Sequence, residues 1–306
     1  MTDVTEATED DETEDTRSTL PRRQLGRLLR EAREAMGMTT ETAARAMGCS
    51  KNAVSQLELG RVQRIRERDI RDYCDLYGIE DEKRDFAMEL ARQKPVRSWL
   101  HGYDDIISSK FNLYTQLESA ASALAIFQSL MIPGLLQTSD YATAVGRQFY
   151  TNEADVERSV NLRLKRQHLL IRTRKPLQIN VIITESVLRT MVGSPSVMSA
   201  QLRHAVALAA RDNVTIRLLP HRAGLPLGYG AAPFIVLTFP KDGRGRPIEP
   251  STVFAENVAT GDVYLERRED VRRCREAFDK LFRASLDAGP TRDLMREAAN
   301  NYDRFR

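Results

Sequence analysis

Lys51, Asn52, Ser55 and Gln56 fall within one stretch of six residues. On a helix, Lys51 would sit above Ser55 and Asn52 above Gln56, since side chains four positions apart share a face. Hydrogen bonding to the edges of bases is the chemistry open to such a set. An ammonium group suits guanine O6 and N7, and a carboxamide suits adenine N6 and N7 in a bidentate pair. Ser50 stands in front as a helix cap, and Ser55 could reach a phosphate or a base. Thr40 opens the preceding helix, where backbone N–H groups point toward a phosphate. Arg22, Arg23, Arg61 and Arg64 are candidate backbone contacts. The bland alternative for all of these is a solvated helix face.

Other chemistries find little support. His168, His204 and His221 lack metal-ligand spacing. Gly224, Gly228 and Gly230 make a glycine-rich stretch without the Lys and Ser/Thr of a phosphate loop. There is no GxSxG elbow and no HExxH. Glu118, Glu185 and Glu256 could cluster in space, which spacing alone cannot show. Cys49, Cys74 and Cys274 are far apart and odd in number, so neither a disulfide framework nor a metal knuckle follows. A reducing cytoplasm fits. The expectation is a protein that is not an enzyme, with no catalytic residue, metal or cofactor.

Placing the polar edge requires two short helices crossing steeply through a tight turn. Ala44 is small enough for the crossing, Gly48 tolerates the positive φ of the turn, and Val54 and Leu57 can pack back on the first helix. Around them the pattern from Pro21 to Ala91 is helical throughout. Leu25, Leu28, Leu29, Ala32 and Met36 form the stripe of a first helix. Thr40–Met47 and Ser50–Leu59 follow. Ile70, Tyr73, Cys74, Leu76 and Tyr77 mark a fourth helix, and Glu82–Ala91, with Phe86, Met88 and Leu90 partly buried, a fifth.

Charge is distributed unevenly. The chain carries 46 basic and 43 acidic residues, yet residues 1–16 hold eight acids and no Lys or Arg. Residues 17–71 carry 13 basic against 6 acidic residues, the footprint expected of a polyanion-binding face. The acidic segment reads either as a DNA mimic that competes for that face or as a solubilising extension. It lacks an apolar core, so no signal peptide is expected. The most apolar stretch, Ala120–Leu136, is interrupted by Ser122, Gln128, Ser129, Pro133 and Gly134, and no membrane association is expected.

These residues resemble the Cro/repressor-type (XRE) helix-turn-helix family. GCSKNAVSQLELGR, from Gly48 to Arg61, is similar to that family's turn, recognition helix and closing Glu-x-Gly. LGRLLREAR, from Leu25 to Arg33, is similar to its first helix. The resemblance implies a recognition helix in the major groove of a double-stranded DNA operator, and a structural role for Glu58 as the family's buried or capping acid. One short recognition helix reads too few base pairs, so a homodimer reading two half-sites about 34 Å apart or a multiple of that is expected.

From Trp99 onward the chain resembles the C-terminal domain of WhiJ-like regulators. The matching runs include YTQLE (Tyr114–Glu118), IPGLLQT (Ile132–Thr138) with DYA (Asp140–Ala142), RLKRQ (Arg163–Gln167), Glu185 with Leu188, Gln201-Leu202, and VTIRLLP (Val214–Pro220). The family's adjacent tryptophans are Trp99 and Leu100 here. The resemblance implies an antitoxin-like domain and a small partner protein encoded nearby. Glu118, Gln137, Arg163, Arg166, Gln167 and Glu185 are the candidate partner- or ligand-binding residues. Gln137, Thr138 and Asp140 could instead cap a helix. Arg163, Arg166 and Gln167 could instead meet Glu118 or Glu185 in a polar network, or face solvent.

The expected organisation is an acidic tail over residues 1–19, which lacks an apolar pattern and should be disordered, an all-α five-helix DNA-binding domain over 20–93, a linker over 94–112 anchored by Trp99 and Tyr103, and an α+β or α/β regulatory domain over 113–306. In the last, helices are expected at Leu113–Leu130, Thr138–Phe149, Asn152–Thr173, Glu185–Met191, Ser196–Ala210, Asp270–Leu286 and Thr291–Ala299. They would cover a small sheet of about four or five strands, at Gln178–Thr184, Val214–Leu219, Phe234–Phe239, Thr252–Glu256 and Val263–Leu265. The functional expectation is a cytoplasmic transcriptional regulator whose second domain senses a small protein or ligand. The alternative is an antitoxin-like module that sequesters a partner and autoregulates its operon.

Overall fold

The computed structural model describes residues 20–62, 65–92, 109–241, 245, 247, 249–255 and 263–305, and the chain divides into two compact units between Gln116 and Leu117. Trp99 and Tyr103, the expected linker anchors, lie outside the described residues, as do Arg64 and Glu256.

In the first unit α1 (Leu20–Ala35), α2 (Thr40–Ala46), α3 (Lys51–Glu58), α4 (Glu67–Leu76) and α5 (Asp81–Arg92) follow in order. Helices of this length are marginal alone in water, so their stability comes from a shared apolar core. Leu25 and Leu29 of α1, Ala43 and Ala44 of α2, Val54 and Leu57 of α3, Ile70, Tyr73 and Cys74 of α4, and Ala87, Met88 and Leu90 of α5 supply it. Two expected core positions are corrected. Met36 falls beyond the end of α1 and is 57% exposed. Phe86 is also exposed, because Ala87 and Leu90 take the inner face of α5.

The second unit is built on a six-stranded mixed sheet in the order β3-β2-β1-β4-β5-β6. The strands are β1 (Ala123–Gln128), β2 (Gln178–Thr184), β3 (Val214–Leu219), β4 (Phe234–Thr238), β5 (Thr252–Ala255) and β6 (Val263–Leu265). β1, β2 and β3 are parallel, with Ile126 opposite Val181 and Val181 opposite Ile216. β4 pairs antiparallel with β1, and β5 and β6 extend that half as a meander. Consecutive residues Ile126 and Phe127, and Val181, Ile182 and Ile183, are all buried. Successive strand residues point to opposite faces, so both faces of the parallel half are covered.

Helix α6 (Ser109–Ala120) precedes the sheet; α7 (Ser139–Gly146) and α8 (Glu153–Ile171) connect β1 to β2; α9 (Glu185–Arg189) and α10 (Pro195–Leu208) connect β2 to β3. α11 (Arg268–Ala284) and α12 (Ala288–Asp303) close the unit. Phe278 and Leu281 of α11 pack with Phe127, Ile182 and Leu219, which places α11 on one face of the sheet.

The main correction concerns the helix expected at Leu113–Leu130. The chain leaves the helix at Ala120, and ALAIFQ becomes β1. A short apolar run reads equally well as a buried strand or a helical segment. Pairing with β2, 55 positions further on, decides it. Among the described residues the sheet therefore has six strands rather than four or five. The expected linker end also moves, since α6 already begins at Ser109.

Candidate nucleic-acid interface

Two contacts and one turn set α3 in place. Gly26 of α1 lies against its last turn: a Cβ there would stand 2.4 Å from the Glu58 carbonyl oxygen and 2.6 Å from that of Leu57. Only glycine allows so close an approach of two backbones. Arg33 donates from Nε and Nη2 to the two carboxylate oxygens of Glu58, at 2.6 and 2.9 Å, and from Nη1 to the Met38 carbonyl at 2.6 Å. Both side chains are buried. The hydrogen bond to Glu58 raises the Arg33 guanidinium above its already high ordinary value, so it stays charged. Finally, Gly48 takes φ +63° in the turn after α2, a conformation costly for side chains with a Cβ. The sequence marks Glu58 as structural but carries no signal for its partner Arg33, 25 residues earlier.

The opposite side of α3 is open. Val54, Leu57 and Glu58 are buried, while Lys51 and Asn52 are exposed and Ser55 and Gln56 half-exposed. Ser50 caps the helix, its Oγ accepting from the Ala53 N–H at 3.1 Å. Gln56 Nε2 donates to Asn52 Oδ1 at 3.4 Å, a long surface contact. Thr40 is the first residue of α2, and the cap proper is Thr39, whose Oγ1 accepts from the Thr42 N–H at 3.1 Å. Arg61 is exposed; Arg22 and Arg23 are half-buried, and burial lowers the Arg22 guanidinium.

The six candidates in the second unit divide differently. Arg166 donates from Nε and Nη2 to Glu118 at 2.7 and 2.9 Å, with both side chains buried. Arg163 donates to Gln137 Oε1 at 3.0 Å; Gln137 Nε2 donates to the Ile132 carbonyl at 2.8 Å; Gln167 Nε2 donates to the Gln137 carbonyl at 2.6 Å. Gln201, not among the candidates, accepts from the Thr138 N–H and donates to the Leu136 carbonyl, both at 2.7 Å. The Tyr141 hydroxyl accepts from the Ile132 N–H at 3.3 Å. All of these contacts except the Arg166–Glu118 pair bear on the IPGLLQT segment, whose irregular backbone would otherwise leave buried polar groups unpaired. Three candidates, Gln137, Arg163 and Gln167, thus fix one segment of the fold, and Glu118 and Arg166 pair with each other. Thr138, weighed as a cap, does cap α7, its Oγ1 accepting from the Tyr141 N–H at 3.3 Å.

Glu185 lies elsewhere. It follows β2, and His221 follows Pro220 at the end of β3, so both stand at the carboxyl ends of parallel strands. The His221 N–H donates to Glu185 Oε2 at 3.0 Å, Arg189 donates to Oε1 at 2.6 Å, and His221 Nε2 is 3.0 Å from Ser186 Oγ. The His221 N–H above all, with Arg189, holds the Glu185 carboxyl below the usual carboxylate range. His221 itself is 60% exposed. Among the described residues no three ligating side chains gather as a metal site. None of the described helices is long and apolar enough to cross a membrane.

Residues 24–87 match a family model described as a helix-turn-helix domain, the module of DNA-binding regulators. Residues 111–297, more than half of the chain, match one described as a domain of unknown function, DUF5753. No curated protein and no solved structure matches the chain.

Proposed function

This chain belongs to the DUF5753 family and carries a helix-turn-helix domain ahead of that region, and we propose that it is a sequence-specific transcriptional regulator of the Cro/repressor (XRE) type. α3 acts as the recognition helix. The observation that carries the reading is the division of α3 into a locked face and an open one. Val54, Leu57 and Glu58 are buried, and Lys51, Asn52 and Gln56 remain accessible. Lys51 takes guanine, and Asn52 or Gln56 takes adenine, through bidentate contacts. Ser50 and Ser55 flank them. Thr40, Arg22, Arg23, Arg61 and Arg64 position the protein on phosphates without reading sequence. A single recognition helix reads few base pairs, so the protein acts as a homodimer on two half-sites.

In this proposal the second unit has a binding rather than a catalytic task. The WhiJ-like resemblance supports a cytoplasmic sensor for a small protein or ligand. The burial of Glu118, Gln137 and Arg166 within the fold argues for a contact surface elsewhere on that unit, with Arg163, Gln167 and Glu185 the candidates that remain partly accessible.

Selection of bound duplexes from a random pool tests the reading. The expected product is a palindrome whose half-sites are spaced by about 34 Å or a multiple. Gln56→Ala should relax preference at one base pair per half-site, at a cost of about 1–3 kcal/mol. A bound pool indistinguishable from the starting pool would sink the proposal.

A further inference from the structure

We infer that the acidic segment of this chain, residues 3–15, docks on the exposed face of α3 and competes with DNA for it; the inference rests on the DNA-binding reading above. α3 offers Lys51 to solvent, and its single carboxylate, Glu58, is buried against Arg33, so the open face carries no negative charge. The surrounding sequence is strongly basic, with 13 Lys and Arg against 6 acids over residues 17–71. The segment supplies the opposite sign: eight acids and no base within residues 1–16, four of them in the unbroken run Glu9–Glu12. In an extended chain such a run places one charge every 3.3–3.6 Å or so. Along a duplex axis each DNA strand carries one charge per roughly 3.4 Å. The segment therefore presents a charge line comparable with one strand.

The fold also sets where the segment is attached. A Cβ on Gly60 would stand 2.7 Å from Arg23 N and 2.8 Å from Arg22 C, so the first turn of α1 lies against the turn that ends α3. The segment joins α1 at Leu20 and so begins beside the C-terminal end of the recognition helix. α3 is only about 12 Å long. The five residue-to-residue steps from Asp15 to Leu20 span up to about 17 Å. The acids can therefore reach Lys51 without any rearrangement of the helical unit. At low ionic strength such a contact is strong, and it fades as the Debye length contracts.

Lys51 is the only lysine among residues 1–82, and Lys83 follows on α5 as an internal control. Treatment of the full chain with a zero-length carbodiimide cross-linker, without DNA, should join Lys51 Nζ to a carboxyl within residues 3–15 in the monomer band. Peptide mass mapping reads the product. Random-sequence duplex DNA should suppress the link, and Lys51→Arg should abolish it. Replacing all eight acids by Asn or Gln should raise affinity for random-sequence duplex about tenfold at ~50 mM salt, and less than about twofold at ~500 mM. Cross-links that avoid Lys51 while Lys83 reacts would overturn the inference, and so would a neutralised variant that binds DNA no more tightly at low salt. A Lys51 link in a protein that binds no DNA in either form would uphold the docking and overturn the DNA-binding reading.

Discussion

Each compact unit buries an arginine–glutamate pair, and the two are built alike. Arg33 meets Glu58 at 2.6 and 2.9 Å; Arg166 meets Glu118 at 2.7 and 2.9 Å. Each joins two helices that are distant in sequence, and each exposes less than a tenth of either side chain. Their settings differ. The first pair sits behind a helix whose other side is open, so its geometry is passed outward to Lys51, Asn52 and Gln56. The second lies beside Gly134, next to a network of Gln137, Arg163, Gln167 and Gln201 that holds an irregular segment inside the fold. A buried ion pair adds little net stability over an apolar pair of equal volume, because desolvation offsets the attraction. What such a pair supplies is orientation. In the first unit that orientation aims a surface; in the second it specifies a core.

Breaking one partner separates the two roles most sharply. Arg166→Met takes the guanidinium away from the buried Glu118 carboxylate, and should cost the second unit about 3–5 kcal/mol. The check is the urea midpoint of that unit's unfolding; a loss under about 1 kcal/mol would contradict the burial. Glu58→Gln strands the Arg33 charge and should cost the first unit about 3 kcal/mol. Replacing both partners, Arg33→Met with Glu58→Leu, should recover most of that stability. Operator affinity should not recover, because the fork that fixes the angle of α3 is gone. If operator binding returned together with stability, the pair in the first unit would be a core feature like its counterpart.

Gly26→Ala sharpens the same point with one methyl group. The new carbon would meet the Glu58 and Leu57 carbonyl oxygens, so α1 and α3 must separate. A cost of about 1–3 kcal/mol is expected, with a fall in operator affinity larger than the stability loss explains. Thermal unfolding and DNA titration on one sample measure both. The smallest effect belongs to Glu185. Its folded pKa lies below its unfolded one, so its contribution is complete above about pH 4.3 and is lost as pH falls through the folded value. Glu185→Gln should lower the stability of the second unit slightly at neutral pH, flatten its acid limb and leave stability below the folded value almost unchanged. An acid limb identical to that of wild type would remove Glu185 from the account.

The parts read most fully from sequence are those in which every constraint is local. Ala44, Gly48, Val54 and Leu57 span 14 positions, and the turn and both helices follow from their spacing. β2, β3 and β6 were also legible, being apolar and β-branched runs bounded by turns. β1 was not, because ALAIFQ carries no strand signal of its own and follows α6 closely. Met36 and Phe86 are exposed despite their pattern, because a stripe shows which face is apolar but not where neighbouring helices stop covering it.

Sequence by itself determined the helix-turn-helix, the polar edge of its second helix and the change of character in the second half of the chain. Helical period and turn chemistry act over a few residues and leave a readable trace. Tertiary structure decided the partners: Arg33 with Glu58 across 25 positions, Arg166 with Glu118 across 48, and β1 beside β2. An arginine in a helical stretch has the same local pattern whether it faces water or a buried carboxylate. Only the packed chain fixes which carboxylate stands within reach, and so whether the charge is solvated or spent on holding two helices at one angle.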